Sequence, residues 1–203
     1  MPRVVLASGN AGKLRELEAI LAPLQVELVA QSAFDVEEAE ETGTTFVENA
    51  IIKARNAALV TGLPAIADDS GLEVDALDGH PGVRSSRFAG DLASDADNVA
   101  LLLERMQEYP SDGARRAAFR CVIVYLRSAS DPMPLIASGS WHGRIAHAPS
   151  GADGFGYDPV FFDEQHGCTA AELPRAEKNR ISHRARALAE LLPALKQHTD
   201  GPA

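Results

Sequence analysis

Positive charge is in short supply in this chain. Its 19 Lys and Arg face 29 Asp and Glu, a formal net charge of -10, with a pI near 5.0. A protein without a basic face cannot displace counterions from a polyanion, which argues against broad, sequence-independent nucleic-acid binding. Small phosphate ligands stay open, because a few converging cations and a divalent metal can hold one locally. Cysteine is scarcer still. Cys121 and Cys168 lie far apart and neither belongs to a Cys-x-x-Cys pair, so a zinc site or dithiol motif is not expected and both should be reduced and structural. Long apolar runs are missing as well. Met1-Pro2-Arg3 leads into Val4-Val5-Leu6-Ala7, too short for a signal peptide, and no run approaches membrane length. The expectation is a soluble cytoplasmic protein with no membrane partner. There is no internal repeat and no low-complexity segment, only a short polar tail after Gln197.

What is present suits a substantial core. A length of 203 residues at 45% hydrophobic content allows one domain over 1–203, or two lobes sharing one sheet. The most informative stretch is Ala65-Ile66-Ala67-Asp68-Asp69-Ser70-Gly71. A short apolar run behind a Gly-Leu-Pro breaker predicts a strand that ends in two carboxylates; Ser70-Gly71 predicts a turn, which Leu72 and Val74 leave as a second strand. Neighbouring strand residues point to opposite faces, so Asp68 and Asp69 should do different jobs, one of them facing a cleft.

Val4 to Ala7 also read as a buried strand. Ser8-Gly9-Asn10-Ala11-Gly12-Lys13 follows as a glycine-containing loop, before a helix carrying Leu14, Leu17, Ile20 and Leu21. Strand, loop and helix in that order present backbone N–H groups and a positive dipole end to a phosphate. The loop is not a Walker A motif, since Gly9 and Gly12 are too close and Leu14 stands where a metal-binding hydroxyl would be needed. Pro23 should end this helix and Val26 to Ala30 form a second strand, followed by the acidic cluster Glu37, Glu38, Glu40 and Glu41. Thr45 and Glu48 have capping-box spacing for a helix to about Thr61 that carries Lys53 on its polar face.

Further on, a helix is expected from about Asp95 to Gln107, and the runs Ala117–Leu126 and Leu135–Ile145, split by Ser130-Asp131-Pro132, predict an antiparallel hairpin that makes the sheet mixed. Gly154-Phe155-Gly156-Tyr157-Asp158-Pro159 reads as a binding loop before the short strand Val160-Phe161-Phe162. Lys178-Asn179-Arg180-Ile181-Ser182-His183-Arg184 leads into a last helix with Leu188, Leu191, Leu192 and Leu195 on its buried face.

Four of these segments, in this order, resemble the signatures of the inosine triphosphate pyrophosphatase family, also called HAM1-like: Ser8-Gly9-Asn10 to Lys13, Ala67 to Gly71, Gly154 to Pro159, and Ser182-His183-Arg184. The resemblance covers nearly the whole chain. It implies an α/β fold, a central twisted mixed sheet flanked by helices with two lobes around a substrate cleft. It further implies a magnesium-dependent homodimer that hydrolyses inosine, deoxyinosine and xanthosine triphosphates to the monophosphate and pyrophosphate. On the matching positions, Ser8, Gly9, Asn10 and Lys13 bind phosphate, and Lys53 contacts the phosphates in some relatives. Asp69 is general base and metal ligand, Glu41 or its neighbour Glu40 is a second metal carboxylate, and Ser70 binds substrate. Phe155, Gly156, Tyr157, Asp158, Lys178, His183 and Arg184 take the nucleoside. A donor-only arginine fits such specificity, because a 6-keto purine presents acceptors where adenine presents an amino group.

Overall fold

The computed structural model describes residues 3–9, 11–21 and 26–199. Seven strands form one mixed sheet in the order β2-β1-β3-β4-β5-β6-β7. β1 (Arg3–Leu6) pairs in parallel with β2 (Glu27–Ala30), Val4 opposite Leu28, and with β3 (Ala65–Val74), Val5 opposite Ala65. Parallel neighbours need crossovers, and α1 (Ala11–Leu21) and α2 (Phe46–Thr61) supply them. The remaining strands are β4 (Arg116–Leu126), β5 (Leu135–Ile145), β6 (Phe161–Asp163) and β7 (Cys168–Thr169). Ile145 at the end of β5 donates to Arg115 O just before β4, 2.8 Å, as an antiparallel hairpin requires. β5–β6 and β6–β7 are antiparallel too. Two helices follow α3 (Asp95–Arg105): α4 (Arg175–Ile181) and α5 (His183–Thr199).

The chain divides into two compact units, Met1–Asp69, Cys121–Gly139 and Arg184–Ala203 in the first, Ser70–Arg120 and Ser140–His183 in the second. Strand alternation gives the first unit two cores. Val4, Leu6, Ile66, Ile123 and Tyr125 meet Leu17 of α1 and Leu188, Leu191 and Leu195 of α5. Their neighbours Val5, Ala7, Ala65, Ala67, Val124 and Leu126 meet a stripe of small residues on α2, Ala50, Ala54, Ala57 and Ala58, which lets that helix lie close to the sheet. The second unit gathers Leu72, Val74, Leu102, Trp141, Ile145, Tyr157 and Phe161 into a core of its own. Beside it the buried guanidinium of Arg115 donates to the carbonyls of Met106, Tyr109, Ile145 and Ala146 at 2.7–2.9 Å.

Most expected elements stand where the residues placed them, and α2 starts at the expected cap: Thr45 and Glu48 form a complete capping box. Two expectations need correction, and one element, β7, carries no signal in the sequence. Asp68 and Asp69 do not end a strand; β3 runs unbroken through Ser70-Gly71 for 10 residues. Turn preference is a local tendency, and here it is outweighed by pairing within the sheet and by burial, since eight of the ten residues are buried. Lys178 does not sit in a helix approach but inside the separate short helix α4, which Pro174 introduces. The short edge strand β7 was not foreseen. Pro23 lies outside the described residues.

Candidate active site

In the first unit, adjacent positions on β3 hold two carboxylates on opposite sides, as alternation demands. Asp68 is buried to 1% exposure. It receives Lys13 Nζ from α1 at 3.2 Å and the Nε and Nη2 of Arg184 from α5 at 3.2 and 3.1 Å, while Arg184 Nη1 donates to Glu16. Asp69 faces α2. Its Oδ1 receives Lys53 Nζ at 2.7 Å and its Oδ2 the amide of Asn49 at 3.4 Å. Lys53 also donates to Glu41 Oε1 at 2.8 Å, and Asn49 Oδ1 accepts the Gly43 N–H at 2.8 Å, which ties the acidic segment to the helix. The capping box therefore sets the register of the helix that presents Asn49 and Lys53.

These environments push the two acids apart. Burial would raise the Asp68 carboxyl, but the adjacent Lys13 and Arg184 outweigh it and hold the group well below the usual carboxylate range. For Asp69 burial prevails over Lys53, with Glu41 adding to the upward shift, so its carboxyl is raised. Lys53 is raised as well, because Asp69, Asp68 and Glu41 together overcome its burial. Displacement of neighbouring carboxyls in opposite directions is how one site obtains a permanent anion and a proton acceptor.

Of the segment expected to bind phosphate, Ser8 and Gly9 lie just past β1, after Ala7, Lys13 reaches Asp68, and Asn10 lies outside the described residues. Glu41 points to Lys53 while Glu40 is exposed. The oxygens of Asp69 and Glu41 converge on one ammonium, so the pair is a hard-oxygen set already engaged with a cation and suits a divalent metal in donor type. Among the described residues no group of three or more His, Cys, Asp or Glu forms a metal cluster.

The second unit holds the remaining residues. Ser70, the next residue of β3, is half-buried. Asp158 Oδ2 accepts the Phe155 N–H at 2.8 Å and Lys178 Nζ at 2.5 Å, and that ammonium lies 5.1 Å from the centroid of the Phe155 ring. Gly154 and Gly156 take positive φ at 85° and 60°, conformations open to glycine that let the loop fold back on Asp158. Gly156 N–H donates to Asp95 of α3 at 2.6 Å, and Tyr157 Oη to Ser85 O at 2.8 Å. A pocket of about 440 Å³ lies between α3 and this loop, walled by Asp95, Val99, Leu103, Pro149, Phe155 and Pro159. His183 is buried and stacks on Phe119, centroids 4.8 Å apart at 16°.

Asp68, Asn49, Glu16 and Asp95 were not singled out in the sequence as site residues. Asp68 had a signal, its place beside Asp69. The other three are polar helix residues whose importance arises only from what the fold sets against them.

The Ham1 family model matches residues 4–194. The chain is 58% identical over 196 residues to a dITP/XTP pyrophosphatase of Shigella flexneri, covering 97% of this chain and 99% of that protein. It is 57% identical over 196 residues, with the same coverage, to the protein of the same name from Escherichia coli strain K12. Among solved structures, a HAM1 protein from Coxiella burnetii superposes with a TM-score of 0.89 at 51% identity, covering 97% of this chain and 100% of that one. The Ham1 protein of Staphylococcus aureus gives a TM-score of 0.84 at 38% identity, covering 97% and 99%. With its mixed sheet and this breadth of similarity, the chain belongs to the Ham1 family.

Proposed function

We propose that this protein hydrolyses non-canonical purine nucleoside triphosphates, of the inosine, deoxyinosine and xanthosine type, to the monophosphate and pyrophosphate, removing deaminated purines before a polymerase uses them. The names of the relatives, dITP/XTP pyrophosphatases, support the substrate class. One observation carries the chemistry: neighbouring carboxylates on one strand, each engaged with its own lysine, Asp68 with Lys13 at 3.2 Å and Asp69 with Lys53 at 2.7 Å.

Without ligand those lysines neutralise the acids. A triphosphate tail offers them stronger anionic partners, and as Lys13 and Lys53 turn to it Asp69 is left to orient a water and take its proton. The water oxygen bonds to the α-phosphorus, the bond from that phosphorus to the bridging oxygen breaks, and pyrophosphate leaves. Asp68, which Arg184 keeps ionised when Lys13 turns to the phosphates, holds Lys13 at the site before substrate binds and does not accept a proton. Ser8, Gly9, Asn10 and Ser70 complete the phosphate contacts. Asp69 and Glu41 would hold magnesium, which when bound neutralises charge on the phosphates and eases deprotonation of water. Phe155 stacks on the base, with Gly156, Tyr157, Asp158, Lys178 and His183 around the nucleoside and Arg184 discriminating at the 6-position. The chain would act as one functional domain and as a homodimer. Among the described residues no helix is long and apolar enough to cross a membrane.

The test is a panel of inosine, deoxyinosine, xanthosine, adenosine and guanosine triphosphates with magnesium, assayed for pyrophosphate and monophosphate. Pyrophosphate from the first three in excess of the last two is the expected result. Binding without cleavage would make the protein a nucleotide sensor instead.

A further inference from the structure

Helix α4 carries Lys178 but is poorly secured by its own sequence. It has seven residues, and Pro174 at its N-cap provides no side-chain cap, so it is far below the length at which a helix holds itself in water. Its outer face is held by a histidine from elsewhere. His166, in the β6–β7 turn, places Nε2 3.1 Å from Glu177 Oε1 and Nδ1 3.3 Å from Asp163 Oδ2. Asp163 is a firm anchor. It is 3% exposed, its Oδ2 receives the indole N–H of buried Trp141 at 2.9 Å, and its Oδ1 receives the Gln165 N–H at 2.8 Å. Gly167 N–H closes the turn on Asp163 O at 2.8 Å.

From the core outward the order is thus Trp141, Asp163, His166, Glu177, and the residue after Glu177 is Lys178. Arg180 also binds Glu177, at 2.5 Å, but it belongs to the same helix and ties it to nothing else. On the inner face Lys178, Asp158 Oδ2 and the Phe155 ring form one set at 2.5 and 5.1 Å. Hydrogen-bond geometry that short tolerates little movement of the helix.

We infer that His166 is a positioning residue for the nucleoside end of the substrate: as an imidazolium, donating one ring N–H to Asp163 and the other to Glu177, it fixes α4, and so keeps Lys178 against Asp158 and the Phe155 ring. The inference rests on the reading of Lys178 and Phe155 as nucleoside contacts. The effect belongs in KM, because His166 acts through the proposed nucleoside contacts and bonds to Asp163 and Glu177, neither of which has a proposed part in the chemical step. Its action through Lys178 makes it non-additive with loss of that lysine.

The experiment measures kcat and KM for inosine triphosphate in the wild-type protein, H166A, K178A, the double variant and E177Q, with the melting temperature of each. H166A is expected to raise KM about three- to tenfold, the scale of a typical hydrogen bond's net contribution, with kcat within about twofold. E177Q, which truncates nothing but weakens the acceptor for His166 and for Arg180 alike, is expected to shift KM the same way by less. In the K178A background, H166A should change KM by less than about 1.5-fold. Wild-type KM in both H166A and E177Q overturns the role of His166, as does an equal multiplicative rise with or without Lys178. Wild-type KM in K178A overturns the nucleoside reading of Lys178 and this inference with it, a result distinct from loss of the His166 coupling alone.

Discussion

Asp69 and Arg184 are buried ionisable groups whose surroundings make opposite predictions. Asp69→Asn keeps the shape and the Asn49 contact but removes the proton acceptor and one negative charge beside Lys53. It should lower kcat by about 100-fold or more, the scale of a lost general base, with the melting temperature little changed. Near-wild-type turnover would pass the role to another carboxylate. Arg184 is 1% exposed and engaged with Asp68 and Glu16, so Arg184→Ala should first cost stability, about 3–5 kcal/mol if it behaves like other buried pairs broken on one side. Its proposed part in base choice is read from a ratio that folded fraction cannot alter: kcat/KM for inosine over adenosine triphosphate should shrink. An unchanged ratio would make Arg184 a structural partner of Asp68 only. Phe155→Ala, by contrast, should weaken all nucleotides alike by about 1–3 kcal/mol, because every base has a face to stack.

Single elements carry other consequences. The capping box on α2 satisfies backbone donors at the end of the helix that presents Asn49 and Lys53. Thr45→Ala should cost about 1 kcal/mol, which for a chain of this size lowers the melting temperature by roughly 2–4 °C. The β6–β7 turn gives a pH signature. Burial would raise the Asp163 carboxyl, but hydrogen bonds from Trp141, Gln165 and His166 outweigh it and hold the group below the usual range. The unfolded chain therefore binds that proton first, so Asp163 contributes stability that is complete above an ordinary carboxylate pKa of about 4 and fades as pH falls below it. Melting curves from pH 6 down to 3 should show a steeper loss in the wild type than in Asp163→Asn. Equal slopes would mean that Asp163 binds its proton equally well folded and unfolded. The same elements show why α4 and β7 escaped the sequence reading: seven and two residues are too few for a hydrophobic period to register, and both are held by contacts with Asp158, Asp163 and Glu172 rather than by their own preferences.

For the whole molecule, the -10 net charge makes a polyanionic substrate unfavourable unless cations offset it. Chelation should abolish pyrophosphate release and added magnesium restore it, while full activity in excess chelator would remove the metal from the reading. The chain's own residues determined a good deal without any fold: the strand-loop-helix start, the α2 cap at Thr45, the β4–β5 hairpin, and four ordered motifs that name the family. They did so because hydrophobic period, caps and short motifs are local, written within a dozen residues of each other. Only the tertiary structure decided that β3 runs straight through Ser70-Gly71, that Glu41 rather than Glu40 meets Lys53, and that Arg184 closes on Asp68 and Glu16. Each of those outcomes depends on a partner 12 or more positions away, and the pairing and burial that such partners impose outweigh the small local preferences a sequence displays.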